Sequence, residues 1–411
     1  MSRAILVFIA LLCFAVPSQA RVWGAKSRFC PRLASRLAEL EASPDTRPAH
    51  LERFRNRVAD RCVALNEIQV LGTHNSYHVE PRPTLLSALL ALSPIFEAWE
   101  YTHPPIGEQL ESQGIRQLEI DVYADPDGGL FADRGALEYI GEDPISPDPL
   151  MMLPGFKALH IQDADFESNC TTFVGCLRAV KEWSDAHRHH LPIMILIEGE
   201  DSPLGSLLGI TFAVPVPLDA TQLDALDAEI RSVFPASRLI TPDRVRRGQP
   251  NLEEAVLTLG WPRLGALRGK VMFVLDNGGS IRSEYLAGHP SLSGRILFTD
   301  SSPGLPEAAF VKVNDPLANP ATIPDLVAQG LSRAHPIRRG YVRGAQRQHH
   351  PTRCRHRQWR AVGEYGLSRA RPRLRHRLRR RDSRGHAGAM QSDQRRPRLP
   401  RRRLGTAAVV G

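Results

Sequence analysis

The hydrophobic positions of the chain fall into short apolar runs, separated by longer amphipathic or polar segments. The runs that we interpret as strands cover residues 68–72, 116–123, 157–161, 192–198, 270–275, 295–298 and 310–313. Two intervening segments, 170–186 and 219–233, have apolar residues spaced for one face of a helix. Strands that alternate with helices predict a parallel sheet in the α/β class. Seven strands are one short of the number in a closed (β/α)8 barrel, which suggests a barrel that is incomplete at its eighth strand.

The pattern changes after Gly330, where apolar periodicity is lost. Residues 331–411 contain 24 Arg, no Lys and 3 acidic residues, a balance of +21 in a chain of net charge +9. The remainder holds 29 basic and 41 acidic residues and is therefore acidic, at −12. Such an Arg-rich segment is typical of a basic arm for nucleic acid or anionic lipid, or of a disordered tail.

We favour a third interpretation of this segment, translation out of frame, because GC-rich DNA read in the wrong frame yields Arg without Lys. A DNA sequence that encodes residues 356–368, HRQWRAVGEYGLS, can read IASGAQWVSTDYP after a one-base shift. The shifted text contains QWVSTDY, which has the apolar, β-rich character of a buried strand. We therefore predict that 331–411 is a frameshifted, disordered tail that replaces the eighth strand.

The N-terminus predicts export. Arg3 precedes an apolar run over residues 4–16 that ends in Ser18-Gln19-Ala20, the pattern of a signal peptide. No later segment has the apolar length of a transmembrane helix. We therefore expect a secreted protein, extracellular or periplasmic, with a signal peptide at 1–20, a helical extension at 21–64 and a barrel domain at 65–330.

Five cysteines remain after the signal peptide, an odd number for an exported protein. Short-range disulfides Cys30–Cys62 and Cys170–Cys176 are the economical pairing in an oxidising compartment. This pairing leaves Cys354 without a partner.

Polar residues follow or end four successive predicted strands. Because parallel strands end at one rim, these groups are expected to converge there. They are His74 and Asn75, then Glu119 and Asp121, then His160, then Glu198. Two carboxylates on one face of a strand repel each other, and a bound cation, an Arg or a proton commonly relieves that repulsion. An oxygen-rich cluster favours Ca²⁺ or Mg²⁺ over zinc. Imidazoles beside a divalent metal are suited to phosphodiester cleavage, which needs charge neutralisation, a base and an acid.

At these residues the sequence resembles bacterial calcium-dependent phosphatidylinositol-specific phospholipase C, a member of the phosphodiesterases with a TIM-type barrel. The resemblance rests on four motifs in order: THNSYH, YTHPPIGEQLESQGIRQLEIDVYAD, KALHIQD and ILIEGED. It implies catalytic histidines at His74 and His160 and calcium ligands at Asn75, Glu119, Asp121 and Glu198. It also implies attack of an inositol hydroxyl on phosphorus, giving cyclic inositol phosphate and diacylglycerol.

Individual roles within this site are less constrained by the sequence. We assign His74 to stabilisation of charge beside the metal, and His160 to phosphoryl contact or protonation of the leaving group. His78 is a further candidate for the site. The candidates for substrate binding are His103, Lys157, Asp163 and Asp276.

The sequence pattern also fits other functions. A glycerophosphodiester phosphodiesterase uses a similar barrel, but that family begins its first motif with His-Arg-Gly, whereas Asn75 and Ser76 follow His74 here. Two further rivals are a basic protein that binds nucleic acid or a membrane surface, and a non-catalytic binder of inositol phosphates.

We expect a monomer that acts on a phosphatidylinositol-type lipid at a membrane surface, without a specific nucleic-acid partner. The apolar segment 85–96 fits a buried helix better than a membrane-inserted one.

Overall fold

The computed structural model describes residues 29–207, 209–314 and 320–334. The predicted signal peptide (1–20), Cys354 and the Arg-rich segment beyond residue 334 lie outside the described residues. No helix in the described part of the chain is long and apolar enough to cross a membrane.

The N-terminal extension forms two helices, α1 (Cys30–Ala42) and α2 (Pro48–Cys62). Each has a proline in its first turn, where the missing backbone N–H costs no helical hydrogen bond. A disulfide joins Cys30 to Cys62, and a second joins Cys170 to Cys176. Both predicted disulfides are therefore confirmed.

The strands of the main sheet are all parallel. Their bounds are β1 (Leu71–Gly72), β2 (Ile115–Val122), β3 (Ile193–Gly199), β6 (Leu239–Ile240), β7 (Val271–Leu275) and β8 (Leu297–Thr299). The order is β1-β2-β3-β7, with β6 and β8 both paired to β7. Two further pairs are an antiparallel hairpin, β4 (Ser206–Leu207) with β5 (Ile210–Thr211), and a parallel pair, β9 (Phe310–Lys312) with β10 (Ser332–Ala334).

Helices connect and cover these strands. Their bounds are α3 (Pro83–Leu92), α4 (Ile106–Ser112), α5 (Ala136–Tyr139), α6 (Phe173–Ala186), α7 (Ala220–Val233), α8 (Pro242–Arg246), α9 (Leu252–Thr258), α10 (Leu264–Leu267), α11 (Gly279–Leu286) and α12 (Thr322–Ala328). Short 3-10 turns lie at Leu65–Glu67, Pro94–Trp99, Pro149–Met152, Ala236–Arg238 and Pro290–Leu292. The two longest predicted helices are confirmed as α6 and α7. Each begins with a side-chain cap, from Thr172 and Asp219 respectively.

The parallel sheet of a mixed α/β fold is confirmed, and the described residues do not show a closed barrel. One strand prediction, 157–161, is wrong. The backbone of Lys157 makes isolated bridges to Tyr123 and Thr172, and the chain turns back at Asp163, whose φ is 64°. β2 therefore pairs directly with β3. At the other end of the domain, β10 extends the ordered strands past the predicted boundary at Gly330.

Two hydrophobic cores support the fold. The larger one fills the space between the main sheet and its helices. The smaller one, which we call the rim cluster, lies among the connections that follow β1, β2 and β3. Its buried members are Leu85, Leu89, Tyr123, Phe131, Ala132, Ala136, Leu137, Met151, Leu159 and Phe166. Within the segment 85–96, the first residues are thus buried in a helix, whereas Leu92 and Ile95 are about half exposed.

Candidate functional site

Acidic side chains converge at the carboxyl end of the sheet. Glu119 and Asp121 lie two residues apart on β2, and Asp121 lies opposite Glu198 in the register of β2 with β3. Carboxylate oxygens of Glu119, Glu198 and Asp276 lie within 4.8 Å of one another. Asp276 comes directly after β7, so three neighbouring strands supply this carboxylate cluster. We use that name for Glu119, Asp121, Glu198 and Asp276.

Charge repulsion and burial shape the electrostatics of the carboxylate cluster. Burial raises the pKa of Asp121 well above its usual range, and the nearby charges of Glu198 and Glu119 raise it further. The phenol of Tyr77 donates a hydrogen bond of 2.8 Å to Asp121 Oδ2, which opposes that shift. Burial and the charge of Glu198 also raise the pKa of Glu200 to about 7. A divalent cation would stabilise the charged forms that the protein alone disfavours.

The turn after β1 brings Asn75 to this cluster. Asn75 has a φ of 45°, a left-handed conformation that asparagine tolerates better than most residues. The next residue, Ser76, fixes the turn on β2. Its N–H donates to the carbonyl of Glu119 at 2.8 Å, and its hydroxyl accepts from the N–H of Glu119 at 2.9 Å. Asn75 directly precedes Ser76 in this turn, and its side chain is buried.

Several buried oxygens of this site have no hydrogen-bond partner among the described residues. They are Oδ1 of Asn75, Asp121 and Asp276. Buried polar atoms in proteins are rarely left in this state, so such a group calls for an explanation such as an ion or a water. One amide and several carboxylate oxygens form a donor set suited to Ca²⁺, which prefers six to eight oxygen ligands. The residues present therefore fit a calcium ion.

The first predicted catalytic histidine lies at the edge of the carboxylate cluster. Nε2 of His74 is 3.6 Å from Glu119 Oε1, and the His74 side chain is 37% exposed. His103 donates from Nε2 to the carbonyl of His74 at 2.9 Å, and burial lowers the pKa of the His103 ring. His103 thus contacts the backbone of His74. This position is compatible both with orienting His74 and with the predicted contact to substrate.

The second predicted catalytic histidine, His160, lies in the connection after β2 and not on a strand. The hydroxyl of Tyr123, the residue directly after β2, donates to the carbonyl of His160 at 3.1 Å. Nδ1 of His160 is 2.7 Å from Asp165 Oδ2, and its side chain is 24% exposed. Both histidines therefore belong to connections at the same edge of the sheet, and each is partly accessible to a ligand.

Two predicted substrate-binding residues have structural partners instead. Lys157 is fully buried, and its ammonium group lies 2.9 Å from Asp125 and donates to the carbonyls of Leu153 and Gly155. The carboxylate of Asp163 accepts from the backbone N–H groups of Gly135 and Ala213, at 3.2 and 2.7 Å. For both residues these contacts favour a role in fixing the conformation of the loops. The ammonium group of Lys157 is buried among these partners and is not accessible to a ligand.

Three residues in or beside this site were either minor candidates in the sequence analysis or were not predicted at all. Lys312, on β9, forms an ion pair with Asp276. His78 and Asp165 lie behind His160. His78 was visible in the THNSYH motif, whereas Asp165 gave no signal beyond its place five residues after His160. Nothing in the sequence pattern connects Lys312 with a residue 36 positions earlier.

One comparison with known proteins identifies a family. A family model described as "Phosphoinositide phospholipase C, Ca2+-dependent" matches residues 63–335, more than half of the chain. No curated protein sequence has a significant match to this chain.

Solved structures provide the remaining comparisons. The chain is similar to a calcium-dependent phosphoinositol-specific phospholipase C from the Gram-negative bacterium Pseudomonas sp, with 17% identity, coverage of 67% of this chain and 91% of that chain, and a TM-score of 0.40. It is also similar to a Ca²⁺-dependent phosphatidylinositol-specific phospholipase C from Streptomyces antibioticus, with 20% identity, coverage of 65% and 80%, and a TM-score of 0.41. On the family match, this chain belongs to the calcium-dependent phosphoinositide phospholipases C, which are phosphoric diester hydrolases.

Proposed function

We propose that this protein cleaves phosphatidylinositol-type lipids at a membrane surface, releasing diacylglycerol and a cyclic inositol phosphate. The observation that carries this proposal is that the carboxylate cluster, with His74 beside Glu119, and the partly exposed His160 belong to strand ends and connections at one edge of the sheet. Membership of the phosphoinositide phospholipase family supports a lipid substrate. The precise headgroup and the products are inferences from that chemistry.

Four residues would hold the calcium ion: Asn75, Glu119, Asp121 and Glu198. When bound, the ion neutralises charge on the phosphoryl oxygens and lowers the pKa of a hydroxyl that it contacts. The oxygen-only donor set also admits Mg²⁺, but that smaller ion demands near-ideal octahedral geometry and gives up its water reluctantly.

The histidines carry the proton transfers in our proposal. A bond forms between an inositol hydroxyl oxygen and phosphorus, and the bond from phosphorus to the diacylglycerol oxygen breaks. His74, beside Glu119, takes the hydroxyl proton and then stabilises the phosphoryl charge as an imidazolium. His160 gives a proton to the departing oxygen. Imidazole suits both steps because its ordinary pKa of about 6.5 is close to working pH.

The surface around the site supports a lipid substrate. Of the large apolar side chains that are exposed in the described residues, nine lie in the connections after β1, β2 and β3, each between 44% and 65% exposed. They are Leu92, Ile95, Tyr139, Ile145, Leu150, Met152, Leu153, Leu204 and Val214. These residues lie in the connections that leave the edge of the sheet with the carboxylate cluster, and we propose that they form the lipid-facing surface beside it. Apolar surface of this kind marks an interaction site.

We also infer a closed barrel for the in-frame protein and export to an oxidising compartment. The parallel order β1-β2-β3-β7-β8 and the family match support the barrel. The two disulfides support export, because disulfides persist mainly outside the cytosol.

The proposal is tested by assaying the full chain on phosphatidylinositol vesicles and on glycerophosphocholine, each with and without a calcium chelator. We expect diacylglycerol release from phosphatidylinositol only, abolished by the chelator and restored by Ca²⁺. Hydrolysis of glycerophosphocholine instead would favour the glycerophosphodiester phosphodiesterase. Salt-sensitive binding to nucleic acid that is lost on deletion of 335–411, without cleavage of either substrate, would favour the basic binding protein.

A further inference from the structure

A fully buried carboxylate, Asp165, lies between two imidazole rings. Its Oδ2 is 2.7 Å from Nδ1 of His160, and its two oxygens are 2.9 and 3.0 Å from Nε2 of His78. The side chains of Asp165 and His78 have no exposed surface, whereas that of His160 is 24% exposed. The buried pair therefore lies behind the one ring that a ligand can reach.

The contacts of His78 determine which atoms carry protons. Nδ1 of His78 is 2.9 Å from the backbone carbonyl of Tyr101, and a carbonyl only accepts, so Nδ1 is protonated. Nε2 faces the carboxylate of Asp165, and a proton between them completes that contact. The ring also stacks on Tyr101, with centroids 4.2 Å apart. His78 is thus held on both nitrogens and on one face.

The backbone fixes Asp165 relative to His160. The N–H groups of His160 and Ile161 both donate to the carbonyl of Asp165, at 3.2 and 3.0 Å, and the N–H of Asp165 donates back to Ile161 at 2.9 Å. His78 belongs to the connection after β1, whereas Asp165 and His160 belong to the connection after β2. The carboxylate therefore couples the orientation of His160 to the turn that carries the first predicted catalytic histidine.

We propose that Asp165 is a positioning residue for His160, held in turn by His78, and that it selects the tautomer of His160 protonated at Nδ1. Nε2 of His160 is then the atom that exchanges a proton with the substrate. A carboxylate on the far nitrogen also stabilises the imidazolium that forms during proton transfer. This inference concerns the same reaction as the proposed function and rests on it for its catalytic consequence.

The tautomer of His160 can be measured without any activity assay. The full chain, labelled with ¹⁵N-histidine, is studied by two-bond ¹H–¹⁵N correlation at about pH 8.5, roughly two units above the ordinary pKa of imidazole. The variant His160→Ala assigns the resonance. We expect wild-type His160 to be protonated at Nδ1, and Asp165→Ala to lose that preference. Wild-type His160 protonated at Nε2 would overturn the proposal even if the variant did not fold.

Kinetics on phosphatidylinositol vesicles supply the second readout. We expect Asp165→Ala to lower kcat about 10³-fold with KM changed less than about 3-fold, since the loss falls on general acid–base catalysis. The matched control is Asp227→Asn on α7, a buried carboxylate that accepts from Tyr285 and lies outside the site. This variant should lower the free energy of unfolding. The tautomer of His160 should be the same as in wild type, and kcat should stay within about 3-fold of the wild-type value.

The outcomes separate this proposal from the proposed function. A wild-type protein without lipid cleavage, but with Nδ1-protonated His160 that depends on Asp165, would refute the function and keep the positioning role. A wild-type protein that cleaves phosphatidylinositol, with equal kcat losses in Asp165→Ala and Asp227→Asn, would keep the function and refute the positioning role.

Discussion

The parallel strands fall into two halves, β1-β2-β3-β7 and β8-β9-β10, which differ in length and in chemistry. β2 and β3 pair over six consecutive residues, and together they carry Glu119, Asp121 and Glu198. At the other side, Asp300, the residue after β8, makes an isolated parallel bridge to Phe310 of β9, and β10 pairs with β9 over three residues. The residues proposed to hold calcium therefore lie in the half that the change of composition after Gly330 does not touch.

One ion pair connects these halves. Asp276 follows β7 and contributes to the carboxylate cluster, while its partner Lys312 lies on β9. We infer that the first half determines catalytic activity, and that the second half mainly determines the free energy of unfolding. Substitutions in each half separate these two properties.

The largest expected effect concerns the first half alone. The variant His74→Ala should lower kcat/KM on phosphatidylinositol by about 10³-fold or more, because it removes a proposed proton acceptor. The side chain is 37% exposed, so we expect the thermal unfolding midpoint to change little. Activity within about tenfold of wild type, in a folded variant, would contradict the role of His74.

The second effect concerns the other half. A chain whose residues from 331 onward are restored to the shifted frame should gain roughly 3 kcal/mol in free energy of unfolding, from burial of two or more strand side chains. Denaturant unfolding of the two chains measures this difference. Equal stabilities would argue against the frameshift hypothesis, as would an identical Arg-rich segment in the gene of a second isolate.

A smaller effect tests the apolar surface of the first half. Serine at Leu150, Met152 and Leu153 should lower activity on phosphatidylinositol vesicles roughly tenfold, because membrane contact loses apolar area. Activity on a short-chain soluble substrate should stay the same. The matched control, serine at Leu257 and Leu259, removes apolar side chains of 37% and 41% exposure near α9. Equal losses in both variants would exclude a specific lipid surface.

The smallest expected effect is on the pH dependence of the free energy of unfolding. Burial raises the pKa of Glu229 to about 7, although the N–H of Phe156 and the charge of Lys157 act in the opposite direction. Between pH 4.5 and 7 the folded state binds more protons at Glu229 than the unfolded state, so stability falls as pH rises. Glu229→Gln should flatten this dependence and add roughly 1 kcal/mol at pH 8. An unchanged pH profile of denaturant unfolding would show that Glu229 is ionised normally.

The sequence predicted the position of the acidic residues of β2 and β3, because each lies in or ends an apolar run whose direction fixes its edge of the sheet. It failed at 157–161, where a buried ion pair between Lys157 and Asp125 and a turn at Asp163 outweigh the strand-like pattern. The backbone of Lys157 pairs with Tyr123 and Thr172, and such isolated pairing produces no periodic pattern of apolar residues in a short segment.

The contacts between distant segments were also beyond the sequence. Asp165 is 87 residues from His78, and Asp276 is 36 residues from Lys312. Residue type indicated that each group could do chemistry, but only the packing of the connections determines which pairs meet. Lys157 shows the converse, since a lysine beside a catalytic motif turned out to be fully buried.

Calcium binding tests the central claim most directly, because it needs only the residues proposed to hold the ion and no substrate. Calorimetric titration of the full chain should show one Ca²⁺ per chain, and Glu198→Gln should weaken binding by more than about 100-fold. The matched control Glu254→Gln, on α9, should bind as wild type does. Calcium affinity that is the same in wild type and Glu198→Gln, or a wild-type chain that binds no calcium, would contradict the account.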